Sequence, residues 1–415
     1  MRVYKFGGAS VKDAVGVRNV ASILQAESDV NLIIVISAMG KTTNALESIV
    51  NAYYGGHTPS LESLKQYHFD IMNQLFERNH PIYDEVNNLF VEIEWVIEDA
   101  PTSTYAYEYD QIVSVGELLS TTIISAYLNE CGFTNRWLDA RDIIRTDNTY
   151  RNARVDWELT ESLIQKEVSK GLPLLTQGFI GCTSENFTTT LGREGSDFTA
   201  AILAHAAQAE EVVIWKDVPG VLNADPRFFE DAQNLKSLSY AEAIELAYFG
   251  AKVIHPKTIQ PLKDKKIPLR VCSFVDGTND GTVVSEDAEI KPFLPSFIVK
   301  ENQVLLSISA QDLSFIVEDH LSHIFLLFSE YGVRVNVMQN SAVSFSVCVD
   351  DDAQKVPALI DALKKEYQVL YNDDLTLYTI RHYNDDSMAK VLKGKTLLLE
   401  QKSRHTVQLV VQQNF

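Results

Sequence analysis

The sequence predicts an α/β fold with a mostly parallel sheet, followed by a smaller α+β region. Over the first two thirds of the chain, short β-branched runs alternate with longer amphipathic stretches, which is the pattern of βα units. The strand candidates are apolar on both faces, as strands covered by helices on each side must be. They comprise residues 3–6, 32–37, 172–176, 212–215 and 269–272.

Helical periodicity fills the intervals between these strand candidates. It is clear in residues 13–26, 111–128 and 240–248. Residues 60–98 also show it, with acidic faces and no chemical motif, so we expect a structural lid or a helical subdomain there.

The size and charge of the chain limit the class of protein. Its 415 residues, 46% of them hydrophobic, are enough for two or three domains with cores of their own. The 36 Lys and Arg against 56 Asp and Glu give a formal net charge of −20, a field that repels nucleic acid and anionic membranes. We therefore expect no nucleic-acid or membrane partner, and an anionic ligand must be held by a local group of cations and backbone N–H groups.

Cysteine spacing and hydropathy indicate a cytoplasmic location. The four cysteines are far apart in the sequence and lack zinc-site spacing, which predicts free, buried thiols in a reducing compartment. The longest apolar run, LIIVI at residues 32–36, is too short to span a bilayer. The N-terminus enters a strand pattern without the apolar core of a signal sequence.

A change of pattern near residues 286–295 (EDAEIKPFLP) predicts a linker. After it, the element order becomes strand, helix, strand, strand, helix, strand, which is typical of an α+β sandwich with an antiparallel sheet and helices on one face. These elements are predicted at residues 304–309, 320–331, 333–338, 343–349, 356–366 and 375–380. A shorter set follows, with a helix at 388–392 and strands at 395–400 and 407–411.

Two glycine- and serine-rich turns follow the first two strand candidates, where α/β sheets bind ligands. In KFGGAS (residues 5–10), Lys5 ends the strand, and Gly7 and Gly8 let backbone N–H groups approach an anion. An ordinary tight turn is the alternative interpretation of this glycine pair. SAMGKTTN (residues 37–44) by itself is only a good helix start. Neither turn is a Walker A loop.

Two further turns carry charge. In TLGREGSD (residues 190–197), we expect Ser196 to cap a helix over residues 197–209, and Arg193 to offer a planar fork to a carboxylate or phosphate. WKDVPGVLNADPR (residues 215–227) contains two tight turns, and a surface loop remains a credible interpretation of it.

Glu117 lies inside an apolar helix pattern, where an unpaired carboxylate would be costly. It should therefore meet a cation. A structural ion pair and the ammonium group of a bound substrate are both open as that cation.

These turns, in this order, make the chain resemble the aspartokinases of the amino-acid kinase family. The matching segments are KFGGAS, SAMGKTTN, VSVGELLS, TQGFIG, TLGREGSDFTA, DVPGVLNADPR and FGAKVIHP. The resemblance implies a three-layer amino-acid kinase domain at residues 1–285 with a mostly parallel central sheet. It also implies an ACT-like regulatory module at 300–383, βαββαβ-like, and a second, truncated ACT-like module at 384–415.

The resemblance implies that ATP phosphorylates the side-chain carboxylate of L-aspartate, with Mg²⁺ bridging the phosphates and no metal bound by the protein itself. Lys5 and Asp197 would be catalytic, Asp197 organising Lys5. Glu117 would bind the α-ammonium group of aspartate and Arg193 its α-carboxylate, while Ser37, Thr43 and Ser196 would add hydrogen bonds. ATP would be bound by Lys5, Gly7, Gly8, Asp217, Arg227 and Lys252.

The tail implies regulation by a small amino acid. VRVNVMQNS (residues 333–341) matches the place where lysine-sensitive aspartokinases bind their inhibitor, with Asn336, Val337, Asn340 and Ser341 as the candidate effector residues. The family has an acidic residue at the position of Asn336, and an amide cannot neutralise an ammonium group, which weakens the inference of lysine feedback. ACT modules pair between subunits, so a homodimer is expected.

Two residues depart from the family pattern. Glu194 stands where the family usually has glycine, so we expect its backbone to have adjusted to avoid a positive φ. Lys216 stands where threonine is common, and two roles are open for it: pairing with Glu194, or contacting the nucleotide.

The implied pathway is the first step of lysine, threonine and methionine biosynthesis, catalysed by a monofunctional enzyme, since the chain has no room for a fused homoserine dehydrogenase. Two alternatives are another amino-acid kinase acting on a different carboxylate, such as an acylated glutamate, and a non-catalytic sensor of amino acids and nucleotide. Glu117 argues against the first, because an acylated amine has no positive charge.

Overall fold

The computed structural model describes residues 1–27, 31–171, 173–251, 254–275, 281–312 and 314–414. The chain forms two compact units. The first consists of Met1–Val221, Asn234–Ile244 and Val253–Lys291, and the second of Leu222–Gln233, Glu245–Lys252 and Pro292–Phe415. The linker predicted at 286–295 spans the point where the chain finally leaves the first unit. Two segments inside the predicted catalytic domain, Leu222–Gln233 and Glu245–Lys252, group with the second unit.

Strands and helices alternate over parts of the first unit, with a run of five consecutive helices between residues 42 and 130. The strands are β1 Arg2–Phe6, β2 Leu32–Ile36, β3 Arg136–Leu138, β4 Leu174–Gln177, β5 Ile180–Cys182, β6 Thr188–Thr190, β7 Glu211–Lys216, β8 Val221–Leu222, β9 Asn234–Leu235, β10 Ser237–Ser239, β11 Leu269–Ser273, β12 Thr282–Ser285, β13 Ser296–Ala310, β14 Val335–Asn340, β15 Ser344–Asp350, β16 Tyr367–Arg381, β17 Lys395–Lys402 and β18 Thr406–Gln413. The helices are α1 Ala14–Ala26, α2 Thr42–Tyr54, α3 Glu62–Leu75, α4 Ile82–Glu98, α5 Tyr105–Val113, α6 Val115–Glu130, α7 Ala140–Ile143, α8 Trp157–Val168, α9 Gly195–Ala207, α10 Tyr240–Phe249, α11 Pro256–Lys265, α12 Glu318–Glu330, α13 Lys355–Leu363 and α14 Asp385–Leu392.

The first unit is built on an eight-stranded sheet in the order β10-β12-β11-β7-β1-β2-β4-β3. The prediction of a mostly parallel sheet is confirmed, since among these pairs only β11 and β12 run antiparallel. The strand predicted at 172–176 begins at Leu174, and Leu172 lies outside the described residues. Strand β1 lies between β2 and β7, with Lys5 opposite Val35 and Ile214. The carboxyl ends of these three strands therefore meet at one edge.

The helix predicted at 111–128 is two helices, α5 and α6, with a break at Ser114. The Ser114 hydroxyl donates a hydrogen bond to the carbonyl of Gln111, a local bond that competes with regular helix geometry. The stretch Tyr105–Glu130 is long and apolar enough to cross a membrane, but 78% of its apolar window is buried inside the fold, as in the core helix of a globular protein.

Helices α3 and α4 form part of the main hydrophobic core rather than a lid. Leu64, Met72, Phe90 and Ile93 are buried and belong to the same apolar cluster as the central strands β1 and β2. The acidic residues noted in the sequence occupy the opposite, solvent-facing side of these helices. The segment therefore stabilises the sheet that carries the site.

The four cysteines are free thiols, as expected. Cys182, Cys272 and Cys348 are buried, whereas Cys131 is only partly buried.

The second unit contains one antiparallel six-stranded sheet in the order β14-β15-β13-β16-β18-β17. The predicted strand, helix, strand, strand, helix, strand order is present from β13 to β16. Strands β13 and β16 are each 15 residues long, and they pair along most of that length. Residues 384–415 add α14, β17 and β18 to the same sheet. Because the central strands are shared, the tail is one continuous sheet rather than two separate ones.

We expect Phe90→Ala to lower the free energy of unfolding by about 3–5 kcal/mol, the usual cost of emptying a buried aromatic site. Trp95 on the same helix is 69% exposed, so Trp95→Ala is the matched control, with an expected change within about 0.5 kcal/mol. Chemical denaturation of both variants measures the difference. Equal, small losses would show that α4 is a detachable lid.

Candidate active site

A cavity of about 420 Å³ opens where the carboxyl ends of β1 and β2 meet the amino end of α9. The residues of the predicted catalytic and aspartate-binding sets all line it. They are Lys5, Ser37, Thr43, Glu117, Arg193, Ser196 and Asp197, joined by Gly8 from the predicted nucleotide set. The order of strands in the sheet produces this convergence, since β1, β2 and the start of α9 are distant in sequence.

The centre of the site is a buried carboxylate held by two lysines. Asp197 is 1% exposed, and its Oδ1 lies 2.6 Å from Lys5 Nζ while its Oδ2 lies 3.2 Å from Lys216 Nζ. Burial by itself would raise the pKa of Asp197, but the two ammonium groups outweigh it and hold the pKa below its usual value. Asp197 is therefore ionised at neutral pH and fixes Lys5.

Lys216 is the second cation that pairs with Asp197. Lys216 ends β7, and Lys5 lies on the neighbouring strand β1, so the sheet brings both ammonium groups to the same carboxylate. The described ion pair of Lys216 is therefore with Asp197, a partner that neither of the two roles left open for this lysine had named.

Glu117 is a buried carboxyl group that faces the cavity. It is 3% exposed, its Oε2 has no hydrogen-bond partner within the described residues, and the backbone N–H of Ala38 donates to the carboxyl group. Burial raises the pKa of Glu117 to about 8, against the lowering effects of the Ala38 N–H and of Lys5. The cation that the sequence calls for is not supplied as an ion pair by the described residues.

The glycine-rich turn after β1 is packed closely against the turn after β2. A Cβ on Gly8 would lie 2.6 Å from the Ala38 carbonyl oxygen, so only glycine fits there. A Cβ on Gly7 would lie 3.5 Å from Lys5 Nζ, which is an ordinary contact distance. The close packing therefore requires glycine at position 8, where the two turns meet.

The turn before α9 differs from the expectation in two ways. Helix α9 begins at Gly195 and its N-cap is Glu194, so the prediction of Ser196 as the cap is wrong. Glu194 has φ 55° and ψ 28°, a left-handed conformation, so its backbone has not adjusted away from positive φ. The next residue, Gly195, is closely packed, since a Cβ there would lie 2.5 Å from Phe179 Cδ2. Glu194 itself is exposed.

We expect Glu194→Gly to keep or raise the free energy of unfolding, because glycine removes a left-handed penalty of about 1–2 kcal/mol while adding chain entropy worth about 0.5–1 kcal/mol. Glu194→Val should lower it, since a branched Cβ fits this conformation worst. Chemical denaturation of the two variants measures the difference. A valine variant more stable than the wild type would show that position 194 is not strained.

The predicted nucleotide-binding residues are not all brought to this cavity. Asp217 follows β7 in the first unit and does not line the cavity. Arg227 belongs to the second unit, where its guanidinium is paired with Asp225 at 2.6 Å and is largely exposed. Lys252 lies outside the described residues.

The predicted effector residues lie on and just after β14 in the second unit. Asn336 Oδ1 accepts from Lys300 Nζ at 2.8 Å, and Asn336 Nδ2 donates to Gln303 and Asp350. Val337 is buried, and the Ser341 hydroxyl contacts Ser344. Asn340 is exposed.

Some lining residues were not predicted from the sequence, and they include Tyr109, Arg151, Phe179 and Thr190. Phe179 and Thr190 stand in or beside quoted motifs and could have been found there. Tyr109 and Arg151 stand in a helix and a loop without motif character, so only the fold brings them to the cavity.

The described residues contain no group of three or more His, Cys, Asp or Glu side chains arranged to bind a metal ion. A cation at this site would depend on the ligand for most of its coordination.

The arrangement of a central parallel sheet with a lysine, a glycine turn and a buried carboxylate at its edge defines a phosphoryl-transfer site of the kinase type. The model of the amino acid kinase family matches residues 1–273. The lysine-sensitive aspartokinase 3 of Escherichia coli is 34% identical over 353 residues, which is 84% of this chain and 78% of that enzyme. The chloroplastic aspartokinase 2 of Arabidopsis thaliana is 35% identical, over 84% of this chain and 66% of that protein.

Solved structures agree. Escherichia coli aspartokinase III in complex with lysine and aspartate superimposes with a TM-score of 0.82 at 30% identity, covering 99% of this chain and 95% of that one. The same enzyme with aspartate and ADP gives a TM-score of 0.80 at 29% identity, covering 99% and 96%. This chain therefore belongs to the amino acid kinase family and, within it, to the aspartokinases.

Proposed function

We propose that this protein phosphorylates the side-chain carboxylate of L-aspartate with ATP, giving 4-phospho-L-aspartate and ADP. The observation that carries the proposal is the charge pattern of the cavity. Among the described residues, Glu117 is a buried carboxyl group without an ion-pair partner, and Arg193 is a guanidinium without one. The ammonium group of Lys5 is held in place by Asp197. That pattern complements an α-ammonium, an α-carboxylate and an incoming phosphoryl group.

The aspartate would be oriented by its two α-substituents. Glu117 binds the ammonium group, and the contact favours the ionised carboxylate of Glu117 over the protonated form that burial favours in the free protein. Arg193 binds the α-carboxylate, with Ser37, Thr43 and Ser196 adding hydrogen bonds from the cavity wall. The side-chain carboxylate is then the part of the substrate directed toward Lys5.

The transfer needs no general base, because the nucleophile has a pKa near ~3.9 and is already ionised at neutral pH. One carboxylate oxygen forms a bond to the γ-phosphorus as the bond to the β–γ bridging oxygen breaks, and ADP leaves. Lys5 would stabilise the negative charge on the transferring group, and Asp197, itself braced by Lys216, would keep Lys5 in place.

ATP would approach across the glycine turn after β1. The absence of side chains at Gly7 and Gly8 leaves the Lys5 ammonium and the backbone N–H groups accessible to phosphates. Asp217, Arg227 and Lys252 remain proposed nucleotide contacts. Mg²⁺ would neutralise phosphate charge, coordinated mainly by phosphate oxygens and water.

The two alternative functions are not favoured. A kinase for an N-acylated amino acid has no use for a buried carboxylate at Glu117, and the relatives found are aspartokinases. A non-catalytic sensor would not require the Lys5–Asp197 pair to be preserved in this geometry.

We further propose a cytoplasmic enzyme at the first step of lysine, threonine and methionine biosynthesis, regulated by a small amino acid bound to the second unit and dimeric through its ACT-like sheet. Asn336, Val337, Asn340 and Ser341 are the proposed effector residues. Asn336 is already engaged by Lys300 of its own chain, so an effector ammonium group would have to displace that contact. The Escherichia coli relative named as lysine-sensitive supports regulation of this kind.

The test is ATP-dependent formation of an acyl hydroxamate in the presence of hydroxylamine. We expect aspartyl hydroxamate from L-aspartate and no product from N-acetyl-L-glutamate. Glu117→Gln should raise the aspartate KM by roughly tenfold or more, because it removes a charge-assisted hydrogen bond, while the ATP KM changes little. Folded wild-type protein that makes no aspartyl hydroxamate would overturn the proposal.

A further inference from the structure

Arg151 is a second guanidinium in the cavity that also contains Arg193. It lies in the loop between α7 and α8, and no sequence motif marks it. We propose that Arg151 is a specificity-determining residue that binds the α-carboxylate of the substrate together with Arg193. The inference rests on the aspartate kinase function proposed above and adds to it a residue that recognises the α-carboxylate of the substrate.

The backbone of Arg151 has an unusual conformation for an arginine. Its φ is 67°, in the left-handed region that is unfavourable for an L-residue with a Cβ. Such conformations persist where the surroundings impose them, and they cluster at ligand sites. Glycine would adopt this conformation without strain. The presence of arginine instead indicates that its side chain has a function here.

The loop is fixed to the turn that carries Arg193 by a shared carboxylate. Asp110 is fully buried, and its Oδ2 accepts from the backbone N–H of Arg151 at 2.9 Å and from the N–H of Thr190 at 2.8 Å. Its Oδ1 accepts from the Thr190 hydroxyl at 2.7 Å. One rigid anchor therefore holds the Arg151 loop and the start of the TLGREGSD turn together.

Two more contacts join the same segments. Lys257 Nζ donates to the Leu191 carbonyl oxygen at 2.8 Å and to Asn152 Oδ1 at 3.0 Å. A Cβ on Gly192 would lie 3.1 Å from the carbonyl oxygen of Arg151, so the two backbones touch where only glycine fits. Arg151 and Arg193 consequently enter the cavity from adjoining backbone, at the end assigned to the α-carboxylate.

The side chain of Arg151 is directed by aromatic rings rather than by a strong ion pair. Its Cζ lies 4.4 Å from the ring centre of Tyr109 and 5.3 Å from that of Tyr105. Its contact with Glu47 is 3.7 Å long, and both side chains are more than 40% exposed, so that pair contributes little. Stacking of this kind leaves the edge of the guanidinium free to form a forked contact with a carboxylate.

The test compares Arg151→Gly with the wild type for L-aspartate and for its α-amide, in which the α-carboxylate is replaced. We expect Arg151→Gly to raise the aspartate KM, and the Kd measured by calorimetry, by roughly tenfold or more. The reason is the loss of the bidentate, charge-assisted hydrogen bonds between the guanidinium and the α-carboxylate. The kcat and the ATP KM should stay near the wild-type values. Binding of the α-amide should be little changed by the substitution.

Stability separates recognition from a structural role. Glycine suits the left-handed backbone, so Arg151→Gly should melt at the wild-type temperature or above it while binding aspartate more weakly. Arg151→Asn, which also tolerates positive φ, is the second variant should glycine loosen the loop. Arg154→Gly removes an exposed arginine of the same loop outside the cavity lining, and it should leave the aspartate KM unchanged.

An unchanged aspartate KM and Kd in folded Arg151→Gly and Arg151→Asn would overturn the inference. Equal weakening of aspartate and α-amide binding would overturn the assignment to the α-carboxylate. Calorimetric binding does not depend on turnover, so these outcomes are distinct from a wild-type protein that binds aspartate but forms no hydroxamate.

Discussion

The rest of the site depends on the burial of Asp197. An ionised carboxylate that is 1% exposed is stable only with close counter-charges, and the structure supplies them as Lys5 and Lys216 at the ends of two adjacent strands. This arrangement turns a flexible lysine into a fixed positive charge. It also explains how a chain of net charge −20 presents a cationic point to a phosphoryl group.

The same edge of the sheet keeps a second carboxyl group in the opposite state. Glu117 is buried without an ion pair among the described residues, and burial raises its pKa to about 8, whereas the pKa of Asp197 is held low by its two lysines. Two carboxyl groups that line one cavity thus have pKa values shifted in opposite directions. Asp197 anchors Lys5, and in the proposed mechanism Glu117 becomes fully charged when the ammonium group of aspartate binds.

The residues of the site could be predicted because the motifs that contain them resemble those of the aspartokinases. The strand pattern accounts for the proximity of two of them, since Lys5 is the next-to-last residue of β1, Ser37 follows β2, and parallel strands bring their carboxyl ends to one edge. The ion pair of Lys216 with Asp197 could not be predicted, since it depends on β7 lying beside β1. The left-handed backbone of Glu194 precedes the closely packed Gly195, and the loop of Arg151 is held by a hydrogen bond to Asp110. Local sequence contains none of these tertiary causes.

The protonation state of Glu117 tests the account most directly. Difference infrared spectroscopy of the wild type against Glu117→Gln isolates the carboxyl band of this one residue. We expect Glu117 to be protonated near neutral pH in the free protein and to ionise as the pH rises through about 8. We also expect it to ionise near neutral pH when L-aspartate is added. An ionised Glu117 without ligand, or a protonated band that survives saturating L-aspartate, would contradict it.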